Sequence, residues 1–279
     1  MLSIIALRIV GFTLNSGSKI FPKYTRKKGL DLFSKPARLK LKKEQLDFFN
    51  TAENLIIPFN KEKIRIYKWG GGSQSVLFCH GWQSHSYRWF PYVEKLDKQR
   101  FTLYAMDGPT SGQTTGKYLN LPIYAAYVQQ IIQEIGEFDF YVGHSLGAFT
   151  LLYTLSRKNS LSPKAAVTLA SPGNALDFTK GYVRRMRLAD STFDMIKNEF
   201  GEVYGHHPSV YHTKEFVNSL SIPGLIVHDK EDKRESYQHA LEIHNTWEKA
   251  KLITTNGLGH RLRSEEVVNK VVDFIEGHY

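Results

Sequence analysis

The sequence predicts an α/β protein whose mostly parallel sheet is buried on both faces. From about residue 52 onward, short apolar β-prone runs alternate with helical stretches, a pattern that demands crossover units. The runs themselves are nearly continuous in apolar residues, as strands covered on both sides are. A composition of 42% apolar and 23% charged residues excludes a disordered or fibrous chain of this length, 279 residues.

Residues 54–59 and 63–69 read as a hairpin closed by the polar Asn60-Lys61-Glu62 turn. The run Gly70-Gly71-Gly72-Ser73 has a strand after it rather than a helix, so it reads as a hairpin turn and not as a nucleotide-binding loop. A buried strand at 75–79, a helix near 86–98 and a strand at 101–107 follow, then a Gly/Thr-rich loop to about 119. The series continues with helix 121–136, strand 138–143, helix 145–158, strand 165–170, strand 224–229, helix 235–247, strand 250–255 and helix 264–276. Residues 171–221 separate two core strands by far more than a crossover needs, and an insertion between late strands is the usual place for a lid.

Charge is unevenly spread. Residues 1–45 carry 11 Lys/Arg against Asp31 and Glu44, while the other 234 residues carry 26 Lys/Arg and 25 Asp/Glu. The body is therefore near neutral, and nucleic acid is not an expected partner. The N-terminal segment is apolar at first, but Arg8 interrupts it and it is too short to span a bilayer. Three readings stay open for it: a segment packed on its own domain, an amphipathic anchor at anionic lipid that gives residues 1–45 peripheral membrane contact, or an atypical targeting segment. Residues 1–50 are thus set apart as a basic extension from a domain at 51–279. The single cysteine, Cys79, excludes a disulfide framework and points to a reducing, cytoplasmic compartment.

The strongest chemical signal is Gly143-His144-Ser145-Leu146-Gly147, which follows an apolar strand and opens a helix. A serine at such a sharp turn projects its hydroxyl above the sheet. It becomes a nucleophile only beside a positioned base, and the expected order along the chain is nucleophile, acid, histidine. Asp232 and His260 follow in that order, each just past the end of a late strand, with Asp229 and Glu231 as rivals for the acid. The N–H of Leu146 and the N–H of Trp82, in the loop His80-Gly81-Trp82-Gln83, are the expected oxyanion donors. His80 and His144 read as packing residues beside these turns. Gln83 and Trp89 are candidate substrate-pocket residues. The adjacent His206 and His207 lack a matching ligand cluster, so neither a metal nor a cofactor is expected.

The His-Gly-Trp loop, the Asp107-Gly108-Pro109-Thr110-Ser111-Gly112 turn, the G-x-S-x-G pattern, the late Asp loop and the Gly257-Leu258-Gly259-His260 loop together resemble the lid-bearing serine hydrolases of the α/β-hydrolase fold, over roughly residues 52–279. The resemblance implies an eight-stranded sheet, a Ser-Asp-His triad and cofactor-free cleavage of esters or related acyl bonds in a small molecule. It says little about residues 1–50, and the turn after Asp107 departs from the family's usual pattern. A non-hydrolytic ligand- or partner-binding protein on the same fold is the alternative from another class, and a membrane-associated lipase or thioesterase is the alternative within the class.

Overall fold

The computed structural model describes residues 4–157 and 161–279, so position 158 of the expected helix 145–158 and the first three residues of the basic extension lie outside it. Eight strands form one sheet: β1 (Glu53–Phe59), β2 (Glu62–Trp69), β3 (Gln74–Cys79), β4 (Phe101–Met106), β5 (Phe140–His144), β6 (Ala165–Leu169), β7 (Gly224–Asp229) and β8 (Ala250–Thr255). Their order across the sheet is β1-β2-β4-β3-β5-β6-β7-β8. The pairs β1/β2 and β2/β4 are antiparallel and all the others parallel.

The hairpin closes over two residues, Asn60 and Lys61, with Asn60 at φ 54°, a left-handed turn that asparagine tolerates. Gly70-Gly71-Gly72 is not a hairpin turn. β2 and β3 are not neighbours, because β4 lies between them, and the glycines carry the chain past the start of that intervening strand. A Cβ on Gly72 would fall 2.0 Å from the Arg100 carbonyl carbon, so the crossing needs a residue without a side chain.

Helices α1 (Ile4–Ile20), α2 (Pro22–Ser34), α3 (Lys43–Phe49), α4 (Phe90–Lys95), α5 (Leu121–Ile135), α6 (Leu146–Arg157), α7 (Ala175–Met186), α8 (Asp190–Tyr204), α9 (Thr213–Val217), α10 (Tyr237–Thr246) and α11 (Glu265–Glu276) complete the described elements. The helix expected near 86–98 is shorter: Ser86–Trp89 is a 3₁₀ turn, and α4 begins at Phe90 with Pro91 in its first turn. Period-two side chains of the central strands, such as Val76, Phe78, Val142, Val167 and Val227, share a core with Trp89, Tyr92 and the Val267, Val271 and Ile275 stripe of α11. α6 packs on β3, β5 and β6 and against α5 and α9. The sheet is thereby held in position along the ends that carry the candidate site.

The chain divides into two compact units, Met1–Ala37 with Asn174–His212, and Arg38–Gly173 with Thr213–Tyr279. Residues 1–37 of the N-terminal segment and residues 174–212 of the 171–221 insertion, read separately from the sequence, thus belong to one unit. Residues 38–50, read as part of the extension, belong to the other, where Phe48 and Phe49 join the core of the sheet. The first unit has its own core of Leu14, Leu30, Leu188 and Ile196, and Arg26 pairs within it with the buried Glu199 at 2.8 Å.

Candidate active site

β5 ends at His144 and α6 begins at Leu146, leaving Ser145 alone at the turn with φ 52°. A left-handed backbone at a residue other than glycine costs about 1–2 kcal/mol and persists only where the surroundings impose it. Here the Ser145 N–H is held by the Leu169 carbonyl at 2.8 Å, and the Ser145 carbonyl accepts from the Phe149 N–H at 3.0 Å. Gly147 passes so close to β3 that a Cβ would lie 2.2 Å from the Cys79 carbonyl oxygen, which explains the second glycine of the motif.

The elbow meets two loops from distant parts of the sequence. His260, in a 3₁₀ turn after β8, points Nε2 at Ser145 Oγ (3.0 Å) and Nδ1 at Asp232 Oδ2 (2.7 Å). Ser145, His260 and Asp232 thus form one hydrogen-bonded row, supplied by the ends of β5, β8 and β7. The Asp232 side chain has no exposed surface. Its Oδ1 accepts the N–H groups of Arg234 (2.8 Å) and Glu235 (3.1 Å). Burial works to raise its pKa, but the His260 contact and these two N–H donors together hold it below the usual carboxylate value.

Asp229 has a different environment. Its Oδ1 accepts the Glu231 N–H (2.9 Å), and its Oδ2 accepts the Thr255 hydroxyl (2.6 Å) and the Leu258 N–H (2.9 Å). It ties the Asp232 loop to the His260 loop and makes no bond to the imidazole. Two further side chains hold the His260 loop by its main chain. His144 Nε2 donates to the His260 carbonyl (2.8 Å), and Arg88 Nη2 donates to the Arg261 carbonyl (2.7 Å). Arg88 and the tie made by Asp229 left no mark in the sequence, since a side chain that binds a main-chain carbonyl or N–H needs no partner residue type.

The loop after β3 lies directly against the elbow: a Cβ on Gly81 would sit 2.9 Å from that of Ser145. His80 anchors this loop from below. Its Nδ1 donates to the Gly81 carbonyl (2.8 Å) and its Nε2 accepts the Gly108 N–H (2.8 Å), which fixes the neutral tautomer. Buried Asp107 accepts the Ser86 N–H (2.9 Å), the Gln113 N–H (2.8 Å) and the Tyr67 hydroxyl (3.2 Å), joining the loop to the turn after β4. Gln83, half-buried at φ 49°, makes the sharp corner of the loop, and Trp82 precedes it. Leu146 N–H is the first amide of α6, and the first four N–H groups of a helix have no partner within it.

Trp89 does not line a pocket. It is fully buried, packed against Phe78 (ring centroids 5.1 Å apart) and Tyr92 (5.4 Å), because the 3₁₀ turn directs it into the core. Cys79 is also buried, and that burial pushes its thiol pKa far up, which removes it as a nucleophile. His207 bonds the nearby Ser209 hydroxyl at 2.6 Å, and among the described residues no group of three or more His, Cys, Asp or Glu could hold a metal ion. A surface cavity of about 740 Å³, bordered by Phe48, Trp69, Phe90 and Lys98, contains none of the candidate site residues.

Four buried histidines give the fold a pH dependence. Burial lowers the pKa of His80 to about 4 and also depresses His85, His144 and His228, so all four fold in the neutral form. Between pH 6.5 and about 4 the unfolded chain takes up protons that the folded chain refuses, so stability falls as pH falls through that window. Each of these groups contributes to the loss in the same direction. Urea unfolding midpoints should therefore drop markedly from pH 7.5 to 4.5. A flat profile over that range would contradict the neutral assignment.

The chain matches a family model described as alpha/beta hydrolase fold over residues 74–203. No curated protein matches it. Among solved structures, Est1E from Butyrivibrio proteoclasticus with ferulic acid bound is similar over 80% of this chain and 98% of its own, at 18% identity and a TM-score of 0.66. Alpha/beta hydrolase domain-containing protein 10 from mouse covers 81% of this chain and 98% of its own, at 14% identity and a TM-score of 0.63. The thioesterase domain from the curacin biosynthetic pathway covers 81% and 99%, at 16% identity and a TM-score of 0.59. At these identities the structural likenesses speak to the fold. The sheet order, the strand-to-helix turn at Ser145 and the family match over residues 74–203 agree, and the chain has the α/β-hydrolase fold.

Proposed function

We propose that the chain is a serine hydrolase that cleaves a carboxylic ester, or a related acyl bond, of a small molecule through an acyl-enzyme on Ser145. The observation that carries this reading is the row Ser145 Oγ–His260 Nε2–His260 Nδ1–Asp232 Oδ2, with spacings of 3.0 and 2.7 Å. Similarity to Est1E with ferulic acid bound, and to a thioesterase domain, supports an acyl substrate.

In this reading His260 Nε2 takes the Ser145 proton as Oγ attacks the acyl carbon, and later returns it to the leaving alcohol. Asp232 keeps Nδ1–H in place and stabilises the imidazolium. The N–H groups of Trp82 and Leu146 receive the oxyanion, with Gln83 at the mouth of the pocket. Water then attacks the acyl-enzyme with the same base, and no cofactor takes part. A single, buried cysteine supports a cytoplasmic setting.

The test is labelling with a fluorophosphonate, followed by mass spectrometry of the peptides. One adduct is expected, on Ser145, and none on the Ser145→Ala chain. A folded wild-type chain that stays unlabelled, or is labelled elsewhere, would count against hydrolysis and for a ligand-binding protein. A chain-length series of p-nitrophenyl esters then sizes the acyl pocket.

A further inference from the structure

We propose that α1 and α2 form a docking surface for an anionic lipid bilayer. α1 is apolar on two sides. Leu7, Gly11 and Leu14 face inward, and Leu14 joins the core it shares with Leu30, Leu188 and Ile196. The other side holds Ile5, Ile9 and Phe12, spaced three and four residues apart, and Phe12 is 73% exposed. Ile20, Phe21 and Tyr24 continue this exposed surface across the α1–α2 turn. A helix that carries large apolar side chains on its outer side as well as its inner one has more apolar surface than its own core covers, and such side chains clustered in water mark an interaction site.

Charge selects the partner. Arg8, Lys19, Lys23, Lys27 and Lys28 are exposed on the same two helices, and Lys28 Nζ lies 5.4 Å from the Tyr24 ring centroid. No Asp or Glu occurs in the first 30 residues. A second copy docking face to face would bring two such cationic surfaces together and be repelled. An anionic headgroup layer meets the lysines, while the apolar side chains sink to the acyl boundary. α1 lies on the membrane and does not cross it: no helix among the described residues is long and apolar enough to span. Long lysine stems reach the headgroups from this depth.

Vesicle co-sedimentation of the full chain tests this. Vesicles of phosphatidylcholine mixed with phosphatidylserine should bind the chain at low salt and release it at high salt, and phosphatidylcholine alone should bind it far less. This comparison needs no variant. The triple variant Lys19→Gln, Lys23→Gln, Lys27→Gln should weaken partition about 100-fold, at roughly fivefold per charge. Phe12→Ser with Phe21→Ser should weaken it by about tenfold per residue. Both sets alter exposed positions only. Absence of wild-type binding to the mixed vesicles, or variants that bind as the wild type does, would overturn the proposal. So would a dimer in sedimentation equilibrium that Phe12→Ser with Phe21→Ser dissolves, since the face would then belong to a second copy. The docking does not rest on the hydrolytic reading, and the Ser145→Ala chain should sediment with vesicles as the wild type does.

Discussion

Ser145→Ala should lower kcat toward an activated ester by a factor on the order of 10⁶. The substitution removes the atom on which the proposed acyl-enzyme forms, while the Leu169 and Phe149 main-chain bonds that shape the turn stay available. KM should therefore change little. Because nucleophile and base act as a unit, Ser145→Ala combined with His260→Ala should be no slower than Ser145→Ala alone. Steady-state rates of the three chains against a wild type titrated for active sites make the check. A Ser145→Ala chain that keeps even a hundredth of the wild-type rate would place the nucleophile elsewhere.

Asp232→Asn should cost roughly 10⁴ in kcat, for a reason the local bonds make specific. Oδ1 of Asp232 accepts two main-chain N–H groups, from Arg234 and Glu235, so an asparagine must place its carbonyl oxygen there. Its NH₂ then faces His260 Nδ1, which has to become the acceptor. The proton moves to Nε2, and the base confronts Ser145 Oγ with an N–H instead of a lone pair. Asp229→Asn should behave differently. Its contacts from Glu231, Thr255, Leu258 and Gly259 are all donors, so the amide disrupts the loops and lowers the melting temperature before it touches the chemistry. If Asp232→Asn retained a tenth of the wild-type rate while Asp229→Asn lost 10⁴, the acid would be Asp229.

Much of this was legible in the sequence because it is local. Apolar runs mark all eight strands to within two residues, and the turn at Ser145 is written in five consecutive residues. What was illegible depends on which strands become neighbours. Gly70-Gly71-Gly72 reads as a hairpin because sequence neighbours often pair, but β4 enters between β2 and β3 and turns the same glycines into a crossing. Trp89 reads as a candidate pocket residue, and only the packing of Phe78 and Tyr92 around it reveals core. The joining of α1 and α2 with α7 and α8 rests on contacts more than a hundred residues apart in sequence, and no local pattern records them. Asp229 and Asp232 were separable only by where each oxygen's bonds go.

The row from Ser145 to Asp232 is braced by contacts that take no part in proton transfer. Asp229 joins the Asp232 loop to the His260 loop, and His144 and Arg88 grip the carbonyls of His260 and Arg261. In the proposed cycle the imidazole gains and loses a proton twice, so its bonds to Ser145 and Asp232 strengthen and weaken in turn. The braces are indifferent to that alternation, because they hold main-chain atoms whose charge never changes. The ring is thus kept in register through each change of charge, and little of the reaction's barrier goes into moving the loops. Scaffold and chemistry are mechanically decoupled, although both run through the same residue.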